Sequence, residues 1–267
     1  LWAGRCATLR SANLVTGEDT KAQAKSAYDQ LRANGWTDET LTAGVLSVGF
    51  DLWRAVAVTY ASAYARAGLG VHPCGYSFAV QNPDFSAREA TAAERAAWFA
   101  DGSGIPPGAG VGIVDALMAA PDYTLPGLQC LRNLLDQRGD SDFRQGLAKT
   151  EASLPRKGLP VVVIHGLDDG LVPPAFTSAP YVAASQAAGR DVSYWQVKHA
   201  QHFDGFLALP AYGARYVPML PYVYAALDQV STKLDGKGKL PGDAVIAPTL
   251  RGAGVVELKQ LAIPAPR

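Results

Sequence analysis

The sequence has no excess of charge of either sign, and this is its most informative absence. Its 267 residues include 24 basic and 24 acidic side chains, so the formal net charge at pH 7 is zero. Proteins that bind nucleic acid or an anionic membrane surface concentrate Lys and Arg, and a balanced count gives no sign of such a patch. The sequence also has no apolar run close to the roughly 20 residues of a membrane-spanning helix. We therefore expect no nucleic acid and no membrane among its partners.

Cysteine is scarce as well. Cys6, Cys74 and Cys130 are the three cysteines, and no two of them have the CxxC spacing of a zinc site. An odd number fits one disulfide with one free thiol, or a partner cysteine on another part of a longer chain. The sequence begins at Leu1 without the basic and apolar segments of a secretory leader. We expect either that a leader has been removed or that this is an internal piece of a longer protein.

Residues 1–158 have the patterns of helices and loops. The predicted helices are Lys21–Ala33, Leu41–Ala67, Arg95–Ala100, Leu128–Gln137 and Phe143–Ser153. The third of these follows Thr91-Ala-Ala-Glu94, which has the form of a capping box. Residues 101–112 are rich in Gly and Pro and are predicted as loop. No segment of this region has the pattern of a central strand.

After residue 158 the pattern changes to strands that alternate with helices. Val161–Ile164 is short and β-branched, which predicts a strand buried on both faces. Residues 191–197 form a second predicted strand. The predicted helices of this region are Phe176–Gly189, short enough for a crossover between parallel strands, and Met219–Leu234. This is the alternation of an α/β fold, whose sheet would be incomplete because the first half of the chain supplies no obvious central strand.

Two aspartates lie in the loop after the first of these strands. The loop has the form His165-Gly-x-x-Asp169-x-x-Val-Pro173, which is common for the acid loop of α/β-hydrolases. A carboxylate at this position accepts the Nδ1–H of a histidine and stabilises the imidazolium that forms during catalysis. We assign this role to Asp169 and a capping role to Asp168. The alternative is that Asp169 itself only caps the following turn.

Two histidines follow the second strand. A general base needs an imidazole on a loop, with one nitrogen toward the acid and the other toward the nucleophile. His202 lies further from the strand than His199, just ahead of a predicted helix start, and we predict it to be the base. His199 is predicted to pack or hydrogen-bond locally. The alternative for either histidine is a surface position, and the corresponding alternative for His165 is a residue that supports its turn. An aspartate loop followed by a histidine loop is the order found in α/β-hydrolases.

A metal site is the alternative use of these side chains. His199 and His202 have a His-x-x-His spacing, and His165, Asp168 and Asp169 are within 38 residues of His202 along the sequence. No cysteine joins them, and they match no dense motif such as His-Glu-x-x-His. We therefore predict no metal and no other cofactor.

A nucleophile is missing from the pattern. The serine of an α/β-hydrolase stands in Gly-x-Ser-x-Gly on a sharp strand-to-helix turn, and no such pentapeptide occurs in the 267 residues. Ser47 falls in a helical pattern, with Val45 where a small residue is needed. Ser77 has no clear strand before it and no strong helix after it. We predict that neither is the nucleophile and that the serine lies outside this sequence.

Several peptides together resemble one family, the D-(-)-3-hydroxybutyrate oligomer hydrolases. They are Cys74-Gly-Tyr-Ser-Phe-Ala79, Cys130-Leu-Arg-Asn-Leu134, Gln201-His-Phe-Asp-Gly-Phe206 and Arg215-Tyr-Val-Pro218, in a likeness that runs from Arg5-Cys6 to about Gly252. Those enzymes are serine esterases that cut short 3-hydroxybutyrate oligomers into monomers, downstream of polyhydroxybutyrate depolymerases. The resemblance implies Asp169 as acid, His202 as base and a small ester oligomer as substrate.

The resemblance also implies how the chain is organised. Residues 1–158 would be a helical cap inserted ahead of the last strands, and 159–235 the carboxyl-terminal part of an α/β-hydrolase domain. Independently of the resemblance, residues 236–267 are rich in Gly and Pro with little periodicity, and we expect them to form a tail that lies on the surface. The nucleophilic serine would belong to an amino-terminal half that has no counterpart here, so we expect the isolated chain to be inactive. By the same resemblance Ser77 belongs to the cap.

Several points stay open at this level. Aromatic residues of the cap line a substrate groove or, as we prefer, form packing core; they are Trp53, Tyr60, Trp98 and Phe99. The expected location is extracellular or periplasmic, with the cytoplasm as alternative, and the oligomeric state is unknown. Rival functions are a hydrolase of aromatic esters resembling tannases or feruloyl esterases, and a non-catalytic cap or interaction module.

Overall fold

The computed structural model describes residues 2–68, 70–84, 86–100, 110–120, 122–136 and 141–265. These residues form helices and two small sheets, which is a mixed α/β architecture. The chain divides into two compact units. Leu1–Asp29 and Ser47–Ala152 make up the first unit, and Gln30–Leu46 and Ser153–Arg267 the second. Residues 30–46, which lie in the helical region of the sequence, therefore pack with the second unit.

Helices account for most of the first unit. They are α1 (Trp2–Ser11), α4 (Leu52–Tyr64), α5 (Ala92–Trp98), α6 (Leu125–Asp136) and α7 (Asp142–Lys149), while α2 (Thr20–Ala33) and α3 (Asp38–Gly49) run from one unit into the other. The predicted capping box at α5 is confirmed, because the Thr91 side chain accepts from the Glu94 amide and the Glu94 side chain accepts from the Thr91 amide. A core of Val58, Tyr76 and Phe143 holds α4, the sheet and α7 together.

A three-stranded antiparallel sheet lies in the first unit, in a region for which mainly helices and loops were predicted, and it is separate from the parallel sheet of the second unit. Its strands are β1 (Tyr76–Gln81), β2 (Ala87–Arg88) and β3 (Gly112–Asp115), in the order β2-β1-β3. β3 begins inside the segment predicted as loop, and residues 101–109 of that segment lie outside the described residues. The strands are short and β1 pairs with β3 from far along the chain, so local periodicity gave no signal.

The prediction of one long helix over Leu41–Ala67 is wrong. α3 ends at Gly49 and α4 starts at Leu52, with Asp51 between them in a left-handed conformation at φ 60°. Glycine destabilises a helix interior, and aspartate is among the few residues that adopt this conformation readily. No single described helix is long and apolar enough to cross a membrane; α3 and α4 pass such a test only as a broken pair, by length and composition.

One of the open cysteine pairings is resolved. Cys74 and Cys130 form a disulfide that joins the turn before β1 to α6, and Cys6 is a free, buried thiol.

The preferred interpretation of the cap aromatics as core is wrong for two of them. Tyr60 is 56% exposed and Phe99 is 86% exposed.

A parallel sheet forms the centre of the second unit. Its elements are β4 (Val161–Gly166), α8 (Ser178–Ala187), β5 (Val192–Val197), α9 (Pro210–Gly213), α10 (Leu220–Leu234) and β6 (Ala244–Ile246). The strand order is β4-β5-β6, and His165 is opposite Gln196 in the register of β4 and β5. One face packs Trp195 and Val197 in the cluster that holds Tyr222 of α10, and the other packs Tyr194 against Val182 of α8.

Two predictions about this sheet need correction. More than half of the described residues after Asp235 are exposed, but the segment is not only a surface tail, because it supplies β6 and the buried Leu261, whose carbonyl accepts a hydrogen bond from Tyr222 Oη. β5 consequently has a parallel neighbour on both sides. Among the described residues β4 pairs only with β5, and Val161–Ile164 are half-buried and not buried on both faces. A strand as short as β6 carries no periodic pattern from which it could be predicted.

Candidate active site

Asp169 is held in a tight turn at the carboxyl end of β4. Its backbone amide donates to the Gly166 carbonyl over 3.2 Å. The carboxylate is buried, and its Oδ1 accepts hydrogen bonds from the amides of Leu171 and Val172, both at 2.9 Å. The backbone thus orients the carboxylate and leaves Oδ2 for side-chain donors.

The loop after β5 is bonded to the same turn. The Asp168 amide donates to the Ala200 carbonyl over 3.0 Å, and the Leu167 amide donates to the Val197 carbonyl over 2.8 Å. Gly166 allows this approach, because a Cβ at this position would lie 2.4 Å from the Ala200 carbonyl oxygen. Parallel strands end at the same edge of their sheet. These bonds therefore bring the loop that contains His202 (residues 198–206, the histidine loop) to the turn that contains Asp169 (residues 166–172, the acid turn).

The two residues predicted as acid and base are in direct contact. His202 Nδ1 lies 2.9 Å from Asp169 Oδ2. A carboxylate only accepts, so Nδ1 is the donor, and a neutral imidazole then has its lone pair on Nε2. The His202 side chain is 36% exposed, and Nε2 makes no hydrogen bond to any residue that the structure describes. This imidazole is therefore oriented on one side and accessible on the other.

The charge of Asp169 follows from its surroundings. Burial raises the pKa of the Asp169 carboxyl, but the imidazoles of His165 and His202 and the Val172 amide outweigh burial and hold this pKa well below its ordinary value. The carboxylate is ionised over the range in which histidine acts as a base. The arrangement can orient an imidazole and stabilise its protonated form, and the catalytic roles of both residues stay predictions.

Asp168 and His199 are placed differently from the acid and base. Burial raises the pKa of the Asp168 carboxyl, while the His199 imidazole and backbone amide act in the opposite direction. His199 has a left-handed backbone at φ 56°, and its carbonyl accepts from the Val217 amide at 2.7 Å. Together with Tyr216, both side chains line a cavity of about 290 Å³. The described residues contain no group of three or more His, Cys, Asp or Glu side chains that could hold a metal ion.

The histidine loop is anchored on both sides of His202. Gln201 is buried, and its Oε1 accepts from the Phe203 amide at 2.9 Å. The Asp204 carboxylate accepts from the amides of Met219, at 2.8 Å, and Leu220, at 3.1 Å, where α10 begins. A carboxylate is stabilised at a helix N-terminus, so the start of α10 fixes the end of this loop.

Residues 30–46 reach the site through α3. Gly170 follows Asp169, and a Cβ on Gly170 would lie 2.2 Å from the Thr40 carbonyl oxygen and 2.6 Å from the Gly44 amide nitrogen. The backbone of the acid turn therefore packs directly on the backbone of α3. Sequence reasoning had no reason to connect these segments.

Gly170→Ala should destabilise the protein, because the new methyl group meets backbone atoms that cannot rotate away. We expect the free energy of unfolding to fall by about 1–3 kcal/mol. Denaturant unfolding measures this change. Gly205→Ala is the matched control in the histidine loop, where a Cβ meets nothing within 4 Å. Equal stabilities of the two variants would contradict the packing described.

The two serines considered as nucleophiles lie in regular elements. Ser47 is inside α3, as its pattern predicted, and Ser77 is inside β1, opposite Val114. Neither position is a strand-to-helix turn.

Two residues that support the candidate site, His165 and Arg251, were not assigned this role from the sequence. His165 Nε2 lies 3.3 Å from Asp169 Oδ2, and the His-Gly-x-x-Asp spacing could have indicated this contact. Arg251, in the predicted tail, donates hydrogen bonds to the carbonyls of Gly213, at 2.6 Å, and Leu207, at 3.1 Å. The segment after β6 thereby holds the chain that follows the histidine loop, and no local pattern marks this long-range contact.

Sequence similarity places the chain among known proteins. The family model described as 3HB-oligomer hydrolase matches residues 1–265. The chain belongs to this family. The family resemblance inferred from the short peptides is thereby confirmed.

Relatives of this family come from several bacteria. Proteins named D-(-)-3-hydroxybutyrate oligomer hydrolase from Paracidovorax citrulli, Cupriavidus metallidurans and Cupriavidus necator are each 35% identical to the chain, over 94%, 93% and 94% of its length. The matched segments cover 38%, 37% and 38% of those proteins. The chain thus spans less than two fifths of the length of the curated relatives it matches. No solved structure matches the chain.

Proposed function

We propose that this member of the 3HB-oligomer hydrolase family cleaves the ester bonds of D-(-)-3-hydroxybutyrate oligomers by a Ser-His-Asp mechanism. The observation that carries the proposal is the 2.9 Å hydrogen bond from His202 Nδ1 to Asp169, whose carboxyl is kept ionised. Family membership and the names of the relatives support the substrate class. The serine and the oxyanion donors come from a part of the protein outside this sequence, since the relatives extend far beyond the matched segment.

In this mechanism the chain moves protons and does not itself form the covalent bond. His202 Nε2 takes the proton of the serine hydroxyl while the serine oxygen attacks the ester carbonyl. His202 then gives that proton to the leaving hydroxyl group of the released hydroxybutyrate unit. The same nitrogen then takes a proton from a water molecule, whose oxygen attacks the acyl carbonyl, and returns that proton to the serine oxygen as the bond between acyl group and serine breaks. Asp169 remains ionised and stabilises the imidazolium at each step.

The fold and location belong to the same proposal. The order β4, acid turn, α8, β5, histidine loop supports an α/β-hydrolase domain in which these are late strands. Residues 1–158, apart from the segment 30–46 that packs with the second unit, would be its cap insertion. The Cys74–Cys130 disulfide supports an extracellular or periplasmic location, because disulfides persist in oxidising compartments.

The test compares the full-length protein with the 267-residue chain. The full-length protein should hydrolyse the hydroxybutyrate dimer and trimer, and a fluorophosphonate probe should label one serine outside this sequence. The isolated chain should show neither hydrolysis nor labelling, because it holds acid and base without a nucleophile.

A substrate panel identifies the competing possibilities. Faster cleavage of feruloyl or galloyl esters than of the hydroxybutyrate dimer would favour an esterase for aromatic substrates. Labelling of Ser47 or Ser77 would show that the nucleophile had been misplaced. A full-length protein that neither labels nor hydrolyses any of these esters would refute the proposal.

A further inference from the structure

A second imidazole faces the carboxylate oxygen that binds His202. His165 is the next-to-last residue of β4, and its Nε2 lies 3.3 Å from Asp169 Oδ2. The His165 side chain is only 12% exposed. Its Nε2 is fully buried and makes no well-aligned hydrogen bond to any described residue. Asp169 Oδ2 is the polar atom that the structure places within reach of it.

The chemistry of the pair sets the proton position on His165. A carboxylate oxygen can only accept, so an attractive contact requires a proton on His165 Nε2. Asp169 then has two donors on Oδ1, the Leu171 and Val172 amides, and two on Oδ2, the rings of His165 and His202. A carboxylate has about four acceptor positions, so this set saturates it. Rotation of the carboxylate would break several of these contacts together.

The position of His165 in its strand argues against a role in packing alone. Side chains alternate along a strand, so His165 shares a face of β4 with Val161 and Val163. These two valines pack against Val182 and Tyr194 on the side of α8. A third apolar side chain would continue this row. The imidazole adds an N–H donor at the point where the row reaches Asp169.

We propose that His165 is a positioning residue, whose Nε2–H holds the Asp169 carboxylate in the orientation that His202 requires. This inference rests on the proposed function. His165 does not touch the reacting atoms; it acts on the base through Asp169. The contact is long and poorly aligned in the free protein, as hydrogen bonds around a catalytic group often are before substrate binds.

Two substitutions in the full-length protein separate the N–H donor from the ring shape. His165→Phe keeps a planar ring and removes the donor, and His165→Gln places an amide N–H near the position of Nε2. We expect His165→Phe to lower kcat for the hydroxybutyrate dimer by up to about 100-fold, as misplacement of a supporting group can do, and to leave KM unchanged. His165→Gln should recover most of the lost kcat. Melting temperatures of both variants are measured alongside.

The outcomes distinguish this inference from the proposed function. Wild-type kcat in His165→Phe would overturn the positioning role, and so would a change confined to KM. Equal loss of kcat in the Phe and Gln variants would also overturn it, because the donor would then not matter. Asp169→Asn serves as the reference: if that variant keeps its turnover, the proposed mechanism fails, independently of His165.

Discussion

In the full-length protein, Asp169→Asn should lower kcat for hydroxybutyrate oligomers by about 10⁴-fold. Asparagine has the shape of aspartate, but its amide group donates where Oδ2 accepts. With that donor facing Nδ1, His202 adopts the tautomer with its proton on Nε2, which can no longer take the proton from serine. Steady-state kinetics on the hydroxybutyrate dimer measure the effect, and circular dichroism verifies that the variant is folded.

Asp168→Asn is the matched control for this variant. Asp168 is the neighbouring carboxylate, it is buried as well, and it interacts with the backbone amide and ring of His199. An asparagine oxygen can still accept from that amide, so we expect a much smaller loss of turnover. If the two variants lost activity equally, the assignment of the acid to Asp169 would be wrong.

Removal of the Cys74–Cys130 disulfide should lower the stability of the protein more than the Gly170→Ala substitution does. The bond links residues separated by 56 positions, and closing a loop of that size restricts the unfolded chain by about 4 kcal/mol. It also ties the turn before β1 to α6, next to the Val58, Tyr76 and Leu131 core of the first unit. We expect the Cys74→Ser/Cys130→Ser double variant to melt about 10 °C lower by differential scanning calorimetry.

Cys6→Ala supplies the control for the loss of a thiol. Cys6 is buried but closes no loop, so its replacement changes packing without changing the entropy of the unfolded chain. Addition of a reductant should lower the melting temperature of the wild type and leave the double variant unchanged. A double variant that melts with the wild type would show that the disulfide contributes no stability.

Local signals made much of the candidate site predictable. The β-branched run that became β4, the His-Gly-x-x-Asp form of the acid turn and the histidine loop after β5 are each short patterns. Their order along the chain was enough to pair Asp169 with His202, and the structure brings the two side chains within 2.9 Å. The short peptides that resemble one family worked in the same way, and the family match confirms them.

Features made by distant backbone contacts were not predictable. β6 is three residues long and is defined by its pairing with β5, so the segment that contains it read as a surface tail. α3 supports the acid turn through the close approach of Gly170 to Thr40 and Gly44. This approach is possible because Gly170 has no side chain, and it produces no periodic pattern in the sequence. The antiparallel sheet of the first unit was missed because its short strands are defined by pairing between distant segments.

By itself, the sequence determined the family, the two loops that face each other at the end of the parallel strands and the preference for Asp169 and His202. Only the tertiary structure decided which cysteines pair, that residues 30–46 pack with the second unit, and that His165 shares the carboxylate with His202. The physical reason is the range of the interactions. Patterns of neighbouring residues indicate which helix, strand or turn a segment forms. Long-range hydrogen bonds, disulfides and close backbone packing depend instead on which distant segments the folded chain brings together.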